Sequence, residues 1–432
     1  MFVFFIFLDP SFFLFYLNIM SKRAFFIYIF VFLLMLFFFR NKITIFAYQI
    51  YSLKNVDKVT MYADDLILKN SAADTTYDMK SFSWDNENSS RTWKYYNGFM
   101  MKSFLKRGLY PDVVEHFYND NLSDDGLPNN FRNKKNIYTT NSLDDISTSR
   151  TLFLMLNSSN SKKYLKNIKF VYNQILKQDR LPNCGNNFLH KKNNLYWREY
   201  VFGLDGLYSA LPFLLEYEKY INKSNSPKVY NSVFNSFRWV FENLKNSEGL
   251  YNHGVKKDGK TVNNVVWLRA VGWYAMAQKD IIDLFPYGKK KELLKLDLKE
   301  FLDAVLKYQD KNTGLWKNVI YPAGDYECNF YETSGSAMIS YVLMDSYIRG
   351  YVKDKKYAYA GLKAFNGIVK NKLKRNLAGN YVLTGSYRSS SVHDNVEDYC
   401  ICGNYVIDEA KGVAPLIMAS AVVEKTFERL YK

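Results

Sequence analysis

Apolar residues recur with a helical period along most of the chain, from Trp93 to the carboxyl end. Helical segments of two kinds alternate: one kind is apolar on almost every side, and the other is apolar on one face only. Alternating β-branched runs between hairpin turns, the usual sign of strands, hardly occur. The pattern therefore predicts an all-α fold.

A glycine in a polar turn recurs along this pattern at a nearly constant spacing. The glycines are Gly126, Gly185, Gly249, Gly314 and Gly379, and the differences between their numbers are 59, 64, 65 and 65. An amphipathic helix precedes four of them, which is typical of a helix carboxyl end. Each period thus contains a loop, an apolar helix, a turn and an amphipathic helix, and roughly 340 residues give five to six such hairpins.

A repeat of this kind favours a closed ring over an open solenoid, because an apolar helix must be buried on nearly all sides. Apolar helices on the inside and half-polar helices on the outside satisfy that requirement. We therefore predict an (α/α)6 toroid, a ring of six helical hairpins, over residues 91–432.

The repeat also brings candidate chemical groups to one end of the ring. The residues 18 to 20 positions after four of the turn glycines are Asp145, Asp205, Arg269 and Glu332. Each falls at the start of a predicted inner helix, where helix amino termini favour an anion. Residues in the loops that lead to the same end are His190, Lys191, His253 and Trp316.

Asp205 is the first candidate for catalysis, because it stands between Leu204 and Gly206 at the head of an apolar segment. Apolar surroundings disfavour the charged form of a carboxyl group, so the group can act as an acid near neutral pH. Aspartate is also an ordinary cap of a helix. Capping and catalysis are compatible, and the polar groups that share this end favour the catalytic interpretation.

Carboxylates, an arginine, histidines and aromatic residues together describe a carbohydrate site that holds an acidic group. Aromatic rings stack on sugar faces, and Arg269 and Lys191 are able to pair with a carboxylate. Core packing is the competing explanation for Trp93, Trp267 and Trp273. A hydrolase with paired carboxylates would need a particular distance between them, which the sequence does not supply.

The composition limits the classes of molecule that we expect the protein to bind. The 432 residues carry a formal charge of +16, which suits an anionic partner, but no basic block resembles a nucleic-acid-binding arm. The four cysteines fit neither a disulfide framework nor a zinc site, and only four histidines are present. We therefore expect neither nucleic acid nor a metal as a partner.

The amino terminus has a different composition. Residues 24–39 carry no charge and are flanked by basic residues, as in a secretory signal or a signal anchor. We expect residues 1–47 to be a signal peptide or anchor, with Met20 as an alternative start, and residues 48–90 to be a linker or an amino-terminal extension. The expected location is periplasmic or extracellular, with or without attachment to a membrane.

A set of short motifs runs in a fixed order through the predicted ring. The motifs are Trp93-x-Tyr95-x-x-Gly98, Leu143-Asp144-Asp145-Ile146, His190-Lys191-Lys192, Leu204-Asp205-Gly206-Leu207-Tyr208, His253-Gly254, Trp267-x-Arg269-x-x-Gly272-Trp273, Gly314-Leu315-Trp316, Tyr331-Glu332-Thr333-Ser334-Gly335 and Lys411-Gly412-Val413-Ala414-Pro415. In this order they resemble the unsaturated glucuronyl and rhamnogalacturonyl hydrolases of glycoside hydrolase families 88 and 105, with family 105 the closer.

The resemblance implies an (α/α)6 enzyme that removes a 4,5-unsaturated uronic acid from oligosaccharides left by polysaccharide lyases, without a metal or organic cofactor. An acid protonates C4 of the double bond, and an activated water adds at C5. By match of motif, Asp205 is the general acid/base and Asp145, less favoured Asp144, is the second carboxylate. The implied substrate-binding residues are Tyr95, His190, Lys191, His253, Trp267, Arg269, Trp273, Trp316, Glu332 and Thr333.

Departures from the family pattern leave two other functions open. Phe202-Gly203 stands where the family usually has a tryptophan before the Asp205 motif. One alternative is a glycan-binding toroid that has lost catalysis, and the other is a different toroid enzyme, such as an epimerase or an ordinary glycosidase. The parent polysaccharide (pectic, ulvan or similar) and the oligomeric state also stay open.

Overall fold

The computed structural model describes residues 22–71, 93–129, 142–190, 200–224, 226–256, 264–324, 326–400 and 405–432. The chain forms two compact units, residues 1–54 and residues 55–432. In the first unit, the described residues form the beginning of a long helix, α1 (Lys22–Ser71). Within the described ranges, no helix has both the length and the apolar character needed to cross a membrane.

In the second unit, the described residues after α1 form six successive pairs of helices. The inner member of each pair, in chain order, is α2 (Tyr95–Arg107), α4 (Asp144–Ser147) with the 3-10 helix that continues it (Thr148–Met155), α6 (Asp205–Tyr217), α8 (Leu268–Leu284), α10 (Thr333–Ile348) and α12 (Ala410–Ser420). The outer members are α3 (Pro111–Asn121), α5 (Ser161–Lys177), α7 (Pro227–Asn243), α9 (Lys289–Leu306), α11 (Lys355–Asn371) and α13 (Val423–Leu430).

The burial of the two kinds of helix confirms the predicted ring. In α10 every residue from Thr333 to Tyr347 is buried, whereas α5 buries one face through Tyr164, Ile168 and neighbouring apolar residues. The last inner helix, α12, packs against both α10 and α2, so the ring closes on itself. The fold is an (α/α)6 toroid.

The five repeat glycines all lie in the left-handed region of backbone conformation, with φ between +62° and +80°. A side chain is disfavoured in that region, which explains the recurrence of glycine in the turns. Space is also limited at Gly126, where an added Cβ would lie 2.7 Å from the backbone of α5 at Lys163 O.

Short antiparallel ribbons fix the starts of three inner helices. The pairs are β1 (Arg180–Leu181) with β2 (Asn187–Phe188), β3 (Tyr200–Gly203) with β4 (Gly254–Lys256), β5 (Val266–Trp267) with β7 (Val319–Tyr321), β6 (Trp316–Lys317) with β8 (Tyr331–Glu332), β9 (Leu373–Arg375) with β10 (Tyr381–Leu383), and β11 (Ser386–Tyr387) with β12 (Tyr405–Val406). Strands β3, β5 and β8 lead directly into α6, α8 and α10. Each of these three ribbons therefore ties the start of an inner helix to a neighbouring loop.

Buried ion pairs connect the carboxyl-terminal halves of the inner helices. Arg150 donates to both oxygens of Glu216, at 3.0 and 2.8 Å, and to Asp280 Oδ2 at 2.7 Å. Lys279 Nζ lies 2.5 Å from Asp345 Oδ2 and 3.5 Å from Asp280 Oδ1. The residues that we call the ionic cluster are Lys102, Arg150, Glu216, Lys279, Asp280 and Asp345.

The cations of the ionic cluster decide the protonation of its aspartates. Although burial acts to raise the pKa of Asp280, the charges of Lys102, Lys279 and Arg150 hold that pKa well below its usual value. For Asp345, burial acts in the same direction, but Lys279 and Arg349 lower the pKa to about 2. Both carboxylates are therefore charged at neutral pH.

Two expectations from the sequence need correction. Residues 48–71, predicted as part of a linker or amino-terminal extension, do not form a linker: they are helical, and Val59, Tyr62 and Leu66 are buried in the second unit. The Tyr62 hydroxyl donates to Asp408 Oδ1 at 2.5 Å, which anchors this part of α1. The cysteines also include a disulfide-bonded residue, Cys328.

Candidate active site

Asp205 is the first residue of α6, and only one of its two carboxylate oxygens has a hydrogen-bond partner among the described residues. Its Oδ2 lies 3.3 Å from His253 Nε2, while its Oδ1 is buried and has no hydrogen-bond partner among the described residues. The β3–β4 ribbon sets this geometry, because it pairs Gly203 with Gly254 and because Leu204 N donates to His253 O. A carboxyl group with one oxygen fixed and the other unpartnered is arranged to exchange a proton with a ligand.

His253 is fully buried between Asp205 and the loop that precedes β12. Its Nδ1 lies 2.6 Å from the hydroxyl of Tyr399, which also accepts a hydrogen bond from His393 N at 2.9 Å. The Tyr399 ring stacks on Trp267, with ring centroids 5.8 Å apart. Trp267 in turn donates from its indole nitrogen to Asn318 Oδ1.

A second carboxylate, Asp144, approaches the same end of the ring. Its Oδ1 lies 3.0 Å from His190 Nε2. A Cβ added at Gly206 would lie 2.9 Å from His190 Nδ1, so the imidazole packs directly against the residue that follows Asp205. The structure thus places Asp144 beside the site. The side chain of Asp145, the favoured candidate from the sequence, lies outside the described part of the chain, as does Lys191.

Tyr95 lies close to several charged side chains of the site. Burial raises the pKa of its phenol well above the usual value, and the charges of Asp144 and Glu409 act in the same direction. The phenol therefore keeps its proton and is able to donate a hydrogen bond. Its ring contacts Trp273, with ring centroids 6.5 Å apart. Trp273 continues the aromatic packing to Tyr208, with centroids 4.8 Å apart.

Arg269 lies at the predicted helix start, but most N–H groups of its guanidinium already donate hydrogen bonds within the protein. Nε donates to Ser334 Oγ at 2.7 Å, Nη1 donates to Arg388 O at 3.2 Å, and Nη2 contacts Glu332 Oε1 and Tyr387 O. Arg269 therefore cannot form a bidentate pair with a substrate carboxylate. Arg269 instead supplies fixed positive charge near Tyr95, whose pKa it acts to lower.

Three residues predicted to bind substrate have structural partners instead. Glu332 is fully buried and caps α10 by accepting from Ser334 N and Gly335 N. Thr333 donates from its hydroxyl to Thr384 O at 2.7 Å. Trp316 is fully buried, and its indole nitrogen donates to Val305 O on α9. We assign these three side chains to support of the site.

The structure adds residues that the sequence reasoning did not select. Lys411 Nζ lies 3.1 Å from Glu409 Oε1 and donates to Arg388 O at 2.7 Å, and it lies 6.0 Å from the centre of the Tyr95 ring. The motif that begins at Lys411 could have pointed to it. Counting twenty residues from Gly379, as in the earlier repeats, arrives at Tyr399. For Asn318 we find no sequence signal.

The assembled site contains carboxylates, imidazoles, a neutral phenol, fixed positive charge and aromatic rings at the amino-terminal ends of the inner helices. Within the described ranges, no three carboxylate, imidazole or thiol groups converge as a metal site requires. Proton transfer by Asp205 and recognition of an anionic sugar are the chemistry for which these groups are suited.

Comparisons with known proteins agree with this picture. The sequence model of Glycosyl Hydrolase Family 88 matches residues 69–427. The 24.9 kDa protein in the picA locus of Rhizobium radiobacter is 29% identical over 232 residues, which are 49% of this chain and 97% of that protein.

Solved structures extend the comparison to nearly the whole ring. A glycoside hydrolase from family 105 of C. acetobutylicum ATCC 824 aligns with a TM-score of 0.69 and 23% identity, covering 84% of this chain and 99% of that one. The unsaturated glucuronyl hydrolase from Bacillus sp. GL1 aligns with a TM-score of 0.62 and 11% identity, covering 85% and 96%. At these identities the likeness is one of fold.

Proposed function

The chain belongs to glycosyl hydrolase family 88, and from this membership we propose that it removes a terminal 4,5-unsaturated uronic acid from oligosaccharides released by polysaccharide lyases. The observation that carries the proposal is the state of Asp205. His253 holds its Oδ2, whereas its buried Oδ1 has no partner among the described residues.

The proposed reaction is hydration of a double bond followed by spontaneous breakdown. Asp205 delivers a proton from Oδ1 to C4, the electrons of the C4=C5 bond form the new C–H bond, and positive charge develops at C5 beside the ring oxygen. Water adds at C5 and gives its proton to the Asp205 carboxylate. The hemiketal then opens at the C5–O bond, which leaves a hemiacetal at C1 that expels the remaining oligosaccharide.

The neighbours of Asp205 have matching roles in this proposal. The carboxylate of Asp144 stabilises the positive charge that develops at C5. Arg269 and Lys411 provide positive charge for the uronate carboxylate, and the neutral phenol of Tyr95 donates to the sugar. Tyr95 and Trp273 supply the aromatic floor.

A panel of unsaturated disaccharides tests the proposal. Fragments of rhamnogalacturonan, ulvan and glycosaminoglycans, each made with a lyase, should lose the ultraviolet absorbance of the double bond when the enzyme turns them over. Asp205→Asn should slow this loss by roughly a thousandfold. Release from saturated sugars only would identify an ordinary glycosidase. Tight glycan binding without turnover, unchanged by Asp205→Asn, would identify a binding protein.

We also propose that the protein is exported, with residues 1–47 as a signal or anchor. The uncharged run at residues 24–39 between basic flanks supports this location. A disulfide at Cys328 is also typical of an oxidising compartment. Fractionation of producing cells, followed by amino-terminal sequencing, tests the proposal. A protein with an intact first residue in the cytoplasmic fraction would contradict it.

A further inference from the structure

Tyr399 reaches the general acid/base through one intermediate side chain. It ends a 3-10 turn (Glu397–Tyr399), is fully buried, and its carbonyl accepts a hydrogen bond from Asn318 Nδ2 at 2.8 Å. Its ring is fixed against Trp267, and its hydroxyl lies 2.6 Å from His253 Nδ1. The other ring nitrogen of His253 faces Asp205 Oδ2. The three side chains therefore form one continuous chain of contacts.

The chemistry of Asp205 selects the tautomer of His253. Once Asp205 has given its proton to a substrate, the carboxylate can only accept hydrogen bonds. Of the two neutral imidazole tautomers, only the one with the proton on Nε2 donates to that carboxylate. In this tautomer Nδ1 is an acceptor, and the Tyr399 hydroxyl is placed to donate to it.

We propose that Tyr399 is a positioning residue of the reaction: its hydroxyl holds His253 in the Nε2–H tautomer that stabilises the carboxylate of Asp205. The inference rests on the proposed function and adds to it a residue that does not touch the substrate. By the same logic, an aspartate beside a catalytic histidine selects its tautomer in hydrolases with a serine nucleophile, and loss of that aspartate severely impairs them.

Other groups near His253 leave this assignment in place. Another titratable group that interacts with His253 is His393, from the same loop as Tyr399. Burial lowers the pKa of His393, so it is neutral near pH 7. Asp398 lies 3.7 Å from His393 Nδ1, and Asp394 pairs with Lys256 on β4. None of these groups intervenes between Tyr399 and His253 Nδ1.

Tyr399→Phe tests the role, because it keeps the stacked ring and removes only the hydroxyl. Turnover of the best unsaturated disaccharide should fall in kcat by about tenfold, the effect of one hydrogen bond, with little change in KM. The loss of activity on the alkaline side should move to higher pH, because a carboxylate with a weaker donor holds its proton longer. An unmoved pH profile, with kcat reduced only in proportion to the folded fraction, would refute the proposal.

Tyr357→Phe is the matched control. Tyr357 is also buried and donates to an aspartate, Asp303 Oδ1, at 2.7 Å, but it lies on the outer helix α11. The control should lose thermal stability to a similar extent and keep the pH profile of the wild type. A shift of the profile in both variants would show that the effect is not particular to Tyr399.

Nitrogen-15 NMR of the imidazoles separates this inference from the proposed function. The chain has only four histidines, so single substitutions assign the signals. In its neutral form, wild-type His253 should show the Nε2–H tautomer, and Tyr399→Phe should show a mixture. A wild-type Nδ1–H tautomer would refute the inference even if Tyr399→Phe does not fold. Absence of turnover with the expected tautomer would refute the proposed function alone.

Discussion

The two ends of the inner helices both gather charged side chains, and the pairing of those charges differs. In the ionic cluster, Arg150 contacts both oxygens of Glu216 and one of Asp280. At the amino-terminal end, Asp205 has an oxygen with no partner among the described residues. A buried polar atom without a partner is unfavourable, and use by a ligand is the explanation that the setting of Asp205 favours.

The same comparison separates structural from functional side chains at the amino-terminal ends of the inner helices. Arg269 and Glu332 lie among the candidate residues, yet their hydrogen bonds to Ser334 and the neighbouring backbone resemble those of the ionic cluster. They hold the helix starts in place. Asp205 and Tyr95 are among the side chains left to meet a substrate. Pairing within the protein is thus a better guide to function here than residue type.

Asp205→Asn should separate activity from stability most sharply. The substitution removes the acid but keeps the shape, so kcat should fall by roughly a thousandfold, within the range of general acid catalysis. The free energy of unfolding should stay the same or rise, because Oδ1 makes no hydrogen bond within the described structure. Absorbance assays and urea titrations measure the two quantities. A marked loss of stability would mean that Asp205 is structural.

Asp280→Ala should have the opposite effect. It leaves Lys102, Lys279 and Arg150 buried with too few partners, which costs about 3–5 kcal/mol of unfolding free energy. The protein that remains folded should keep its kcat. Glu242→Gln is the control, since its pair with Arg238 is exposed and should change stability little. Equal stability of the two variants would show that the cluster does not support the ring.

Asp144→Asn should lower kcat by roughly a hundredfold if Asp144 is the second carboxylate. The reason is its contact with His190, beside the start of α6. Asp145→Asn, measured in parallel, decides which of the two adjacent aspartates is the second carboxylate. Greater loss in Asp145→Asn would support Asp145, the residue favoured from the sequence.

Acid should weaken the ionic cluster only at low pH. The pKa of Asp345 is lowered to about 2 in the folded protein, so its stabilising effect is complete above an unfolded value near 4 and is lost as the pH falls toward 2. The effect is about 2 kcal/mol. The unfolding free energy of wild type minus that of Asp345→Asn should therefore be constant from pH 7 to pH 5 and should shrink below pH 4. A difference that already shrinks at pH 6 would contradict this origin.

The sequence was sufficient for the ring because the ring is periodic. Gly249 and Gly314 recur where the backbone needs the left-handed conformation, and twenty residues after Gly249 the chain reaches Arg269 at a helix start. The count from a glycine predicted the start of an inner helix wherever the length of the loop between them was repeated. In the last repeat the loop is longer, so the count from Gly379 reaches Tyr399 in a loop, and the inner helix begins only at Ala410.

Other features of the site depend on contacts that no spacing encodes. Asp144 and Asp145 are adjacent, and which one faces His190 depends on the orientation of a helical turn of four residues. Trp316 resembled a sugar-stacking residue, but its indole donates to a carbonyl on α9. Asn318 links Trp267 to Tyr399 only because a ribbon brings distant segments together.

Closure of the ring between α12 and α2 also sets the order of events during synthesis. Tyr95 and Lys411, which meet at the site, are separated by 316 positions in the chain. At about 5–20 residues per second, a ribosome needs on the order of 15–60 s to make the segment between them. During that time the apolar faces of the first inner helices lack their final neighbour. We therefore expect the growing chain to need protection from aggregation until its last hairpin is complete.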